Sequence, residues 1–399
     1  MGPTPGVPGR EPLLFTPGPL TTSQSVKLAM CQDLGSRDSQ FLGVVDEVRT
    51  ALLDMAHTSV DDGFECVIVQ GSGTFAVESV VSSVVPRAGA KLLVLSNGAY
   101  GDRIAQMCDV HNIDHTVLRS AEAEVPCADA AVAALDADPA LTHVAVIHHE
   151  TTTGALNPIW DIGPAVKAAR PDATLIVDSM SGFGCYDVDL DGWGIDYLVS
   201  SSNKCIEGVP GFAFALARRD HLVTTKGHAR SLSLDLLAQW EGLRDSGQFR
   251  FTPPTHSLLA FRQALREHAA EGGQPGRLAR YTRNFEVLRD GLGAMGFVPY
   301  LPEGAQGCII TTFLYPDDPN FDFPRLYQRL QDAGIVIYPG KLTDADCFRM
   351  GSIGRLFERD MHFLVQTVRA ILGEMGVALP VTQVSPESNT FAKTGVEKR

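Results

Sequence analysis

Residues 196–214, DYLVSSSNKCIEGVPGFAF, decide how the rest of the 399-residue chain is read. The stretch opens on a nearly unbroken apolar run at 197–201, the pattern of a strand covered on both faces by helices. A polar turn carrying Asn203 and Lys204 follows, and Gly208-Val209-Pro210-Gly211 leads into a second apolar run at 211–216. A lone lysine is nearly always a solvated surface charge. One held at the end of a buried strand is partly desolvated, which lowers its pKa and opens Schiff-base chemistry to it.

Toward the N-terminus the same texture repeats. Apolar runs at 66–70, 91–96, 144–148 and 174–177 alternate with helical stretches at 74–85, 101–111, 128–137 and 162–169. This alternation predicts an α/β domain around a mostly parallel sheet, with ligands bound at the carboxyl ends of its strands. Two of those ends carry chemistry. Gln70-Gly71-Ser72-Gly73-Thr74 lies between a strand and a helix, where glycines let backbone N–H groups approach an anion and the helix N-terminus adds positive potential. A Gly-Ser-Gly turn is as often purely structural. Asp178 closes the run at 174–177, where a carboxylate can pair with a protonated ring nitrogen. Read alone, an aspartate there is more often a helix cap or turn former.

Beyond Pro253-Pro254 the pattern changes to long helices at 257–270, 276–295 and 360–375 with strand-like runs at 307–313 and 335–339. The helix at 257–270 is expected to stop at Glu271-Gly272-Gly273. The expected organisation is a large domain over residues 13–274 and a smaller α+β domain over 275–380, the N-terminal part of the first packing with the second. Residues 1–12 and 381–399, rich in Pro, Gly and polar groups, are expected to be disordered.

Acidic residues outnumber basic ones 47 to 33, a formal charge of −14, which repels a phosphate backbone and argues against nucleic acid as partner. No apolar run reaches the ~18 residues of a membrane span and the N-terminus has no apolar signal core. The eight cysteines lack metal-ligand spacing and read as free thiols. The expectation is a cytoplasmic protein that needs no metal.

Phosphate cradle, acid and lysine occur in that order, each at a strand's carboxyl end. Together with VIVQGSGTFAVESV (67–80), SNGAYGDR (96–103), HHETTTGALNPI (148–159), IVDSMSGFG (176–184), RFTPPTH (250–256), IVIYPGK (335–341) and CFRMGSIG (347–354), they resemble the class V group of fold-type-I pyridoxal-phosphate enzymes. Within that group the resemblance is to the aminotransferases that act on 2-aminoethylphosphonate and pyruvate, and it spans residues 13 to 372.

The resemblance implies pyridoxal 5'-phosphate as cofactor, a homodimer with shared active sites, and small-molecule substrates. Lys204 matches the Schiff-base lysine and Asp178 the partner of the pyridine nitrogen. Ser72, Gly73 and Thr74 match the phosphate-binding turn, and Tyr100 the aromatic that stacks on the ring. Thr153 or its neighbour Thr152 matches the residue near the phenolic oxygen. Asn203 and Thr252 match phosphate ligands, the threonine coming from the partner subunit. Arg349 matches the arginine that grips the substrate's anion, its fork suited to a carboxylate or phosphonate. Arg37 stands where this sequence departs from the group's pattern, and reads as a second phosphonate contact or as a loop charge. Hydroxyls of Thr16 and Thr21 would help one anion site accept both substrates. The implied reaction turns 2-aminoethylphosphonate and pyruvate into phosphonoacetaldehyde and L-alanine. Alternatives are an alanine– or serine–glyoxylate aminotransferase, another phosphonate transaminase, or a catalytically silent protein on the same fold.

Overall fold

Seven strands build one sheet in the computed structural model of the chain, which describes residues 11–342 and 345–382. In spatial order they are Phe64–Gln70, Phe212–Arg218, Tyr197–Ser201, Thr174–Asp178, Leu141–Ile147, Lys91–Ser96 and His115–Arg119. Neighbours from Tyr197–Ser201 to His115–Arg119 pair in parallel. Phe212–Arg218 runs antiparallel to both of its neighbours. The cause is the short connection after Ser201. A parallel crossover needs roughly a dozen or more residues, usually with a helix, and the turn bearing Lys204 has none.

The central strands are buried on both faces, as their apolar composition requires: Leu175, Ile176, Val177, Leu198 and Val199 are each 0–1 % exposed. Helix Gly73–Val84 buries Val77, Val80, Val81 and Val84 toward the sheet, each such side chain contributing about 1.5–3 kcal/mol. Its N-terminus, like that of helix Ala99–His111, follows directly on the carboxyl end of a strand. That placement makes the strand ends a concave rim of backbone N–H groups.

A second core lies around a three-stranded antiparallel sheet of Ile310–Leu314, Cys347–Gly351 and Tyr338–Pro339. Phe297, Phe313 and Phe348 fill it, with helices Gly273–Gly293 and Glu358–Met375 packed above. Leu13–Leu14 pairs in parallel with Ile335–Val336 and sends Phe15 into the same core. A small third cluster, with Cys185, Cys205, Cys308 and Tyr281, joins the two regions directly behind Lys204.

The helices at 74–85, 101–111, 162–169, 257–270 and 360–375 start one to three residues earlier than the sequence indicates. Glu271-Gly272-Gly273 does separate two helices, with φ of +104° at Gly272 and +68° at Gly273. Helices Ser39–Asp54, Leu236–Ser246 and Phe323–Asp332 and strands His115–Arg119 and Cys347–Gly351 are not among the elements read from sequence. His115–Arg119 is a half-buried edge strand and so carries no apolar run. The run at 335–339 splits at Ile337 into two strands with different partners. The lead-in and tail fall outside the described residues apart from 11–12 and 381–382. Among the described residues no helix is long and apolar enough to cross a membrane, and no group of three or more His, Cys, Asp or Glu is arranged for a metal.

Candidate active site

Three strand ends converge on one cavity. Its volume is about 260 Å³, and Tyr100, Thr151, Asp178, Met180 and Lys204 line it. A second cavity of about 290 Å³ shares Tyr100, Asp178 and Met180 and reaches Thr74 and Arg103 at the N-terminus of helix Gly73–Val84. The lysine turn, the acid and the glycine turn thus face one another, in the relation the sequence order suggests.

Lys204 is half-buried as a residue, and its amine donates a hydrogen bond to Pro17 O at 2.8 Å. The N-terminal segment can lie against it because residue 18 is glycine: a Cβ there would sit 2.7 Å from Nζ. Burial holds the amine below the ordinary lysine pKa; Tyr100, Cys205 and Asp178 oppose that shift, and Lys341 adds to it. A lysine of reduced basicity is a better nucleophile and proton acceptor near neutral pH.

Asp178 is 7 % exposed, and burial pushes its carboxyl up to about 6 against the hydrogen bond it accepts from the Met180 backbone N–H at 2.9 Å. Nearby Glu150 pushes the same way. No cation forms an ion pair with Asp178 among the described residues. A carboxylate so desolvated is stabilised by any cationic N–H that enters the cavity.

Tyr100 sits between cations. The Arg103 guanidinium lies 4.9 Å from its ring centroid and the Lys341 amine 5.1 Å. Burial raises the phenol's pKa, yet a hydrogen bond with Thr151 and the charges of Lys204 and Lys341 hold it below the usual value. Glu150 is fully enclosed and accepts from the Thr152 hydroxyl at 2.6 Å, from the Thr152 N–H at 3.0 Å and from the Tyr100 N–H at 3.3 Å. It therefore braces the Ala99–His111 helix start against the Thr151–Thr153 turn.

Arg349 is 2 % exposed in the middle of strand Cys347–Gly351. Its Nε donates to Pro339 O at 3.0 Å and its Nη1 to Thr151 O at 2.7 Å. Burial lowers its pKa against the pull of Tyr100, Cys347, Tyr338 and Glu150. It forms no salt bridge among the described residues, so carbonyls alone aim a buried guanidinium. A buried guanidinium held in this way is chemically suited to an anion.

Several expected contacts fall elsewhere. Thr152 spends its hydroxyl on Glu150 and on the Ala99 N–H at 3.0 Å, and Thr153 caps the Ala155 N–H at 3.3 Å. Thr151, not considered from sequence, is the threonine of this triplet that faces Lys204. Thr16 donates to Pro19 O at 2.6 Å, and Thr21 accepts from the Leu14 N–H at 2.9 Å. Both hydroxyls bond backbone groups of the N-terminal segment. Asn203 is half-buried and makes no side-chain hydrogen bond among the described residues, and Ser72 is exposed with no capping bond. Thr252 and Arg37 are exposed and line a separate cleft of about 700 Å³. This chain does not bring either of them to its own Lys204. Arg103, Glu150 and Lys341 also stand around Tyr100 and were not singled out in sequence, though Arg103 ends the quoted SNGAYGDR, Glu150 lies in HHETTTGALNPI and Lys341 ends IVIYPGK.

The family model "Aminotransferase class-V" matches residues 27–304. The chain is 47 % identical over 365 residues to a 2-aminoethylphosphonate–pyruvate transaminase of Salmonella paratyphi C, covering 91 % of this chain and 98 % of the relative. A Klebsiella pneumoniae protein of the same name is 47 % identical over 361 residues, covering 90 % and 97 %. The fold is also that of the ureidoglycine–glyoxylate aminotransferase from Bacillus subtilis, with a TM-score of 0.85 at 22 % identity over 94 % of this chain and 96 % of that one. On these matches the chain belongs to the class-V aminotransferases, alongside the 2-aminoethylphosphonate–pyruvate transaminases.

Proposed function

We propose that the protein transfers the amino group of 2-aminoethylphosphonate to pyruvate, giving phosphonoacetaldehyde and L-alanine, with pyridoxal 5'-phosphate held on Lys204. The observation that carries this reading is Arg349, buried, braced only by carbonyls and without a carboxylate partner among the described residues, in a chain nearly half identical to transaminases of that name.

The residues fit the cofactor. Asp178 is a buried carboxylate without a cation, which a protonated ring nitrogen would satisfy. The uncapped start of helix Gly73–Val84, with Ser72 and Thr74, offers N–H and hydroxyl donors to a phosphate, and Asn203 has its amide to spare. Tyr100 presents an aromatic face to both cavities. When bound, the cofactor supplies an electron-accepting ring that makes the proton beside the donor's amino group acidic.

The chain's own groups do the rest. Lys204 would hold the cofactor and, when its amine is free, would take the proton from the donor's amino-bearing carbon as general base and hand it on as general acid. Its lowered basicity suits both roles. Asp178, as a charged carboxylate, would hold a ring nitrogen protonated. Arg349 fixes the far, anionic end of either substrate, so that the reacting carbon is delivered to Lys204. We further read the protein as a homodimer in which Thr252 serves the partner's phosphate. Support comes from the exposed apolar rings Phe75 and Phe251, at 51 % and 45 %, beside the phosphate-binding turn and Thr252.

Two substrates that share one anion site must react in turn. Cofactor-loaded protein given 2-aminoethylphosphonate alone is expected to release one equivalent of phosphonoacetaldehyde per site and stop; pyruvate added afterwards restarts turnover and appears as alanine. Aldehyde trapping with quantification of alanine measures both halves. No aldehyde without pyruvate would contradict the proposal.

A further inference from the structure

We propose that Lys341 is the second cation of the substrate-anion site and selects the donor's phosphonate over a carboxylate. The inference rests on the reaction proposed above and adds the residue that gives it donor specificity.

Its position follows from the strand that aims Arg349. Tyr338–Pro339 pairs with Cys347–Gly351 so that Tyr338 stands opposite Arg349, and Pro339 O accepts the guanidinium's Nε–H at 3.0 Å. Gly340 and Lys341 come next. The Gly340 N–H donates to Cys347 O at 3.0 Å, and a Cβ at residue 340 would meet the Cys347 backbone, so the chain is pinned immediately before the lysine. The side chain reaches back to place Nζ 5.1 Å from the Tyr100 centroid, over a ring that lines the Lys204 cavity.

Like charges collect there. Lys204, Lys341 and Arg349 all act on the Tyr100 phenol or are acted on by it. The nearest acid, Glu150, is already committed to Thr152 and the Tyr100 N–H. Lys341 forms no salt bridge among the described residues. Placing cations together without a counter-ion is unfavourable, and an arriving anion reverses the sign. A lone exposed lysine over an aromatic is otherwise a cation–π contact worth about 0.5–1 kcal/mol, which gives no reason for it to stand beside two further cations.

The chemistry separates the two roles. A planar carboxylate carries one charge and two oxygens, which the fork of one guanidinium satisfies. A phosphonate has three oxygens and a second charge, which one guanidinium leaves unbalanced. A lysine on a flexible four-carbon stem is a mobile point charge able to meet that third oxygen. Arg349 is thus common to both substrates, and Lys341 serves only the dianion.

The test compares Lys341→Gln and Lys341→Arg with wild type in single half-reactions, using 2-aminoethylphosphonate or L-alanine as donor. The ratio of kcat/KM for 2-aminoethylphosphonate over that for L-alanine is expected to fall about 10- to 100-fold in the glutamine variant, chiefly through KM, and to recover in part with arginine. Calorimetric titration of the cofactor-loaded protein with methylphosphonate and with acetate gives a second readout: the glutamine variant should lose its preference for methylphosphonate. An unchanged ratio, or equal losses for both donors, overturns the role of Lys341. A wild type that takes L-alanine but not 2-aminoethylphosphonate overturns the reaction instead, and the methylphosphonate titration still decides on Lys341.

Discussion

Lys204→Ala is expected to eliminate transamination, lowering kcat by at least about 10⁴-fold, the upper range of general acid–base catalysis alone. The site has no substitute for it. Arg349 is engaged with Pro339 O and Thr151 O, Lys341 lies across Tyr100 rather than at the acid, and His148 and His149 are buried, with desolvation lowering each imidazole's pKa to about 3. The Lys204 amine lies in the cavity beside Asp178, and burial lowers its basicity. Its removal deletes one hydrogen bond, to Pro17 O, so the fold should persist. Alanine formation under saturating donor and pyruvate, with circular dichroism to confirm folding, measures the effect. Residual turnover of a tenth of wild type would show that another group moves the proton.

Arg277→Ala is the substitution expected to cost most stability outside the cavity. Arg277 is 0 % exposed; its Nε donates to Glu271 at 3.0 Å, its Nη1 donates to Cys205 O, and Glu207 stands 3.4 Å away. Glu207 itself bonds Arg280 at 2.6 Å and the Tyr281 hydroxyl at 2.7 Å. Tyr281 accepts from the Gly354 N–H at 3.2 Å, and Arg280 donates to Gly354 O at 2.6 Å. The network ties the backbone immediately after Lys204 to the segment immediately after strand Cys347–Gly351, which carries Arg349. Removing one partner of a buried ion pair strands the others in low dielectric and costs about 3–5 kcal/mol. For a chain of this length the unfolding midpoint should fall on the order of 4–6 °C. Scanning calorimetry decides it, and a shift below a degree or two would mean that the network is held by its other members. Since the same bonds set where Arg349 stands relative to Lys204, KM should rise for both substrates together.

The large sheet and its ligand end are legible in sequence because their signals are local. A strand buried on both faces is an apolar run, and the residue after it is where the ligand sits, which is how Lys204, Asp178 and the Gly71–Thr74 turn can be placed in advance. The threonine triplet is not legible in that way. Which of Thr151, Thr152 and Thr153 faces the cavity depends on Glu150 capturing the middle hydroxyl and on Gly154, at φ +107°, turning the chain away. The Thr16 hydroxyl is likewise directed by a local partner, Pro19 O three residues on. Strand Cys347–Gly351 is visible only as a motif, since a buried arginine interrupts its apolar pattern. The place of Lys341 over Tyr100 and the bonds of Glu207 to Arg277 and Arg280 join residues far apart in the chain, which spacing does not reveal. Glu271 appears in sequence as part of a helix stop and turns out to bond both arginines.

The most direct test of the account is a donor and acceptor panel on purified, cofactor-loaded protein. 2-Aminoethylphosphonate, phosphonoalanine and serine are each offered with pyruvate and with glyoxylate, and the amino acid formed is quantified. The account predicts that 2-aminoethylphosphonate with pyruvate gives the highest kcat/KM, with L-alanine as product. A clear preference for serine, or for glyoxylate as acceptor, would leave the fold and the Lys204 site standing and would contradict the reaction proposed for them.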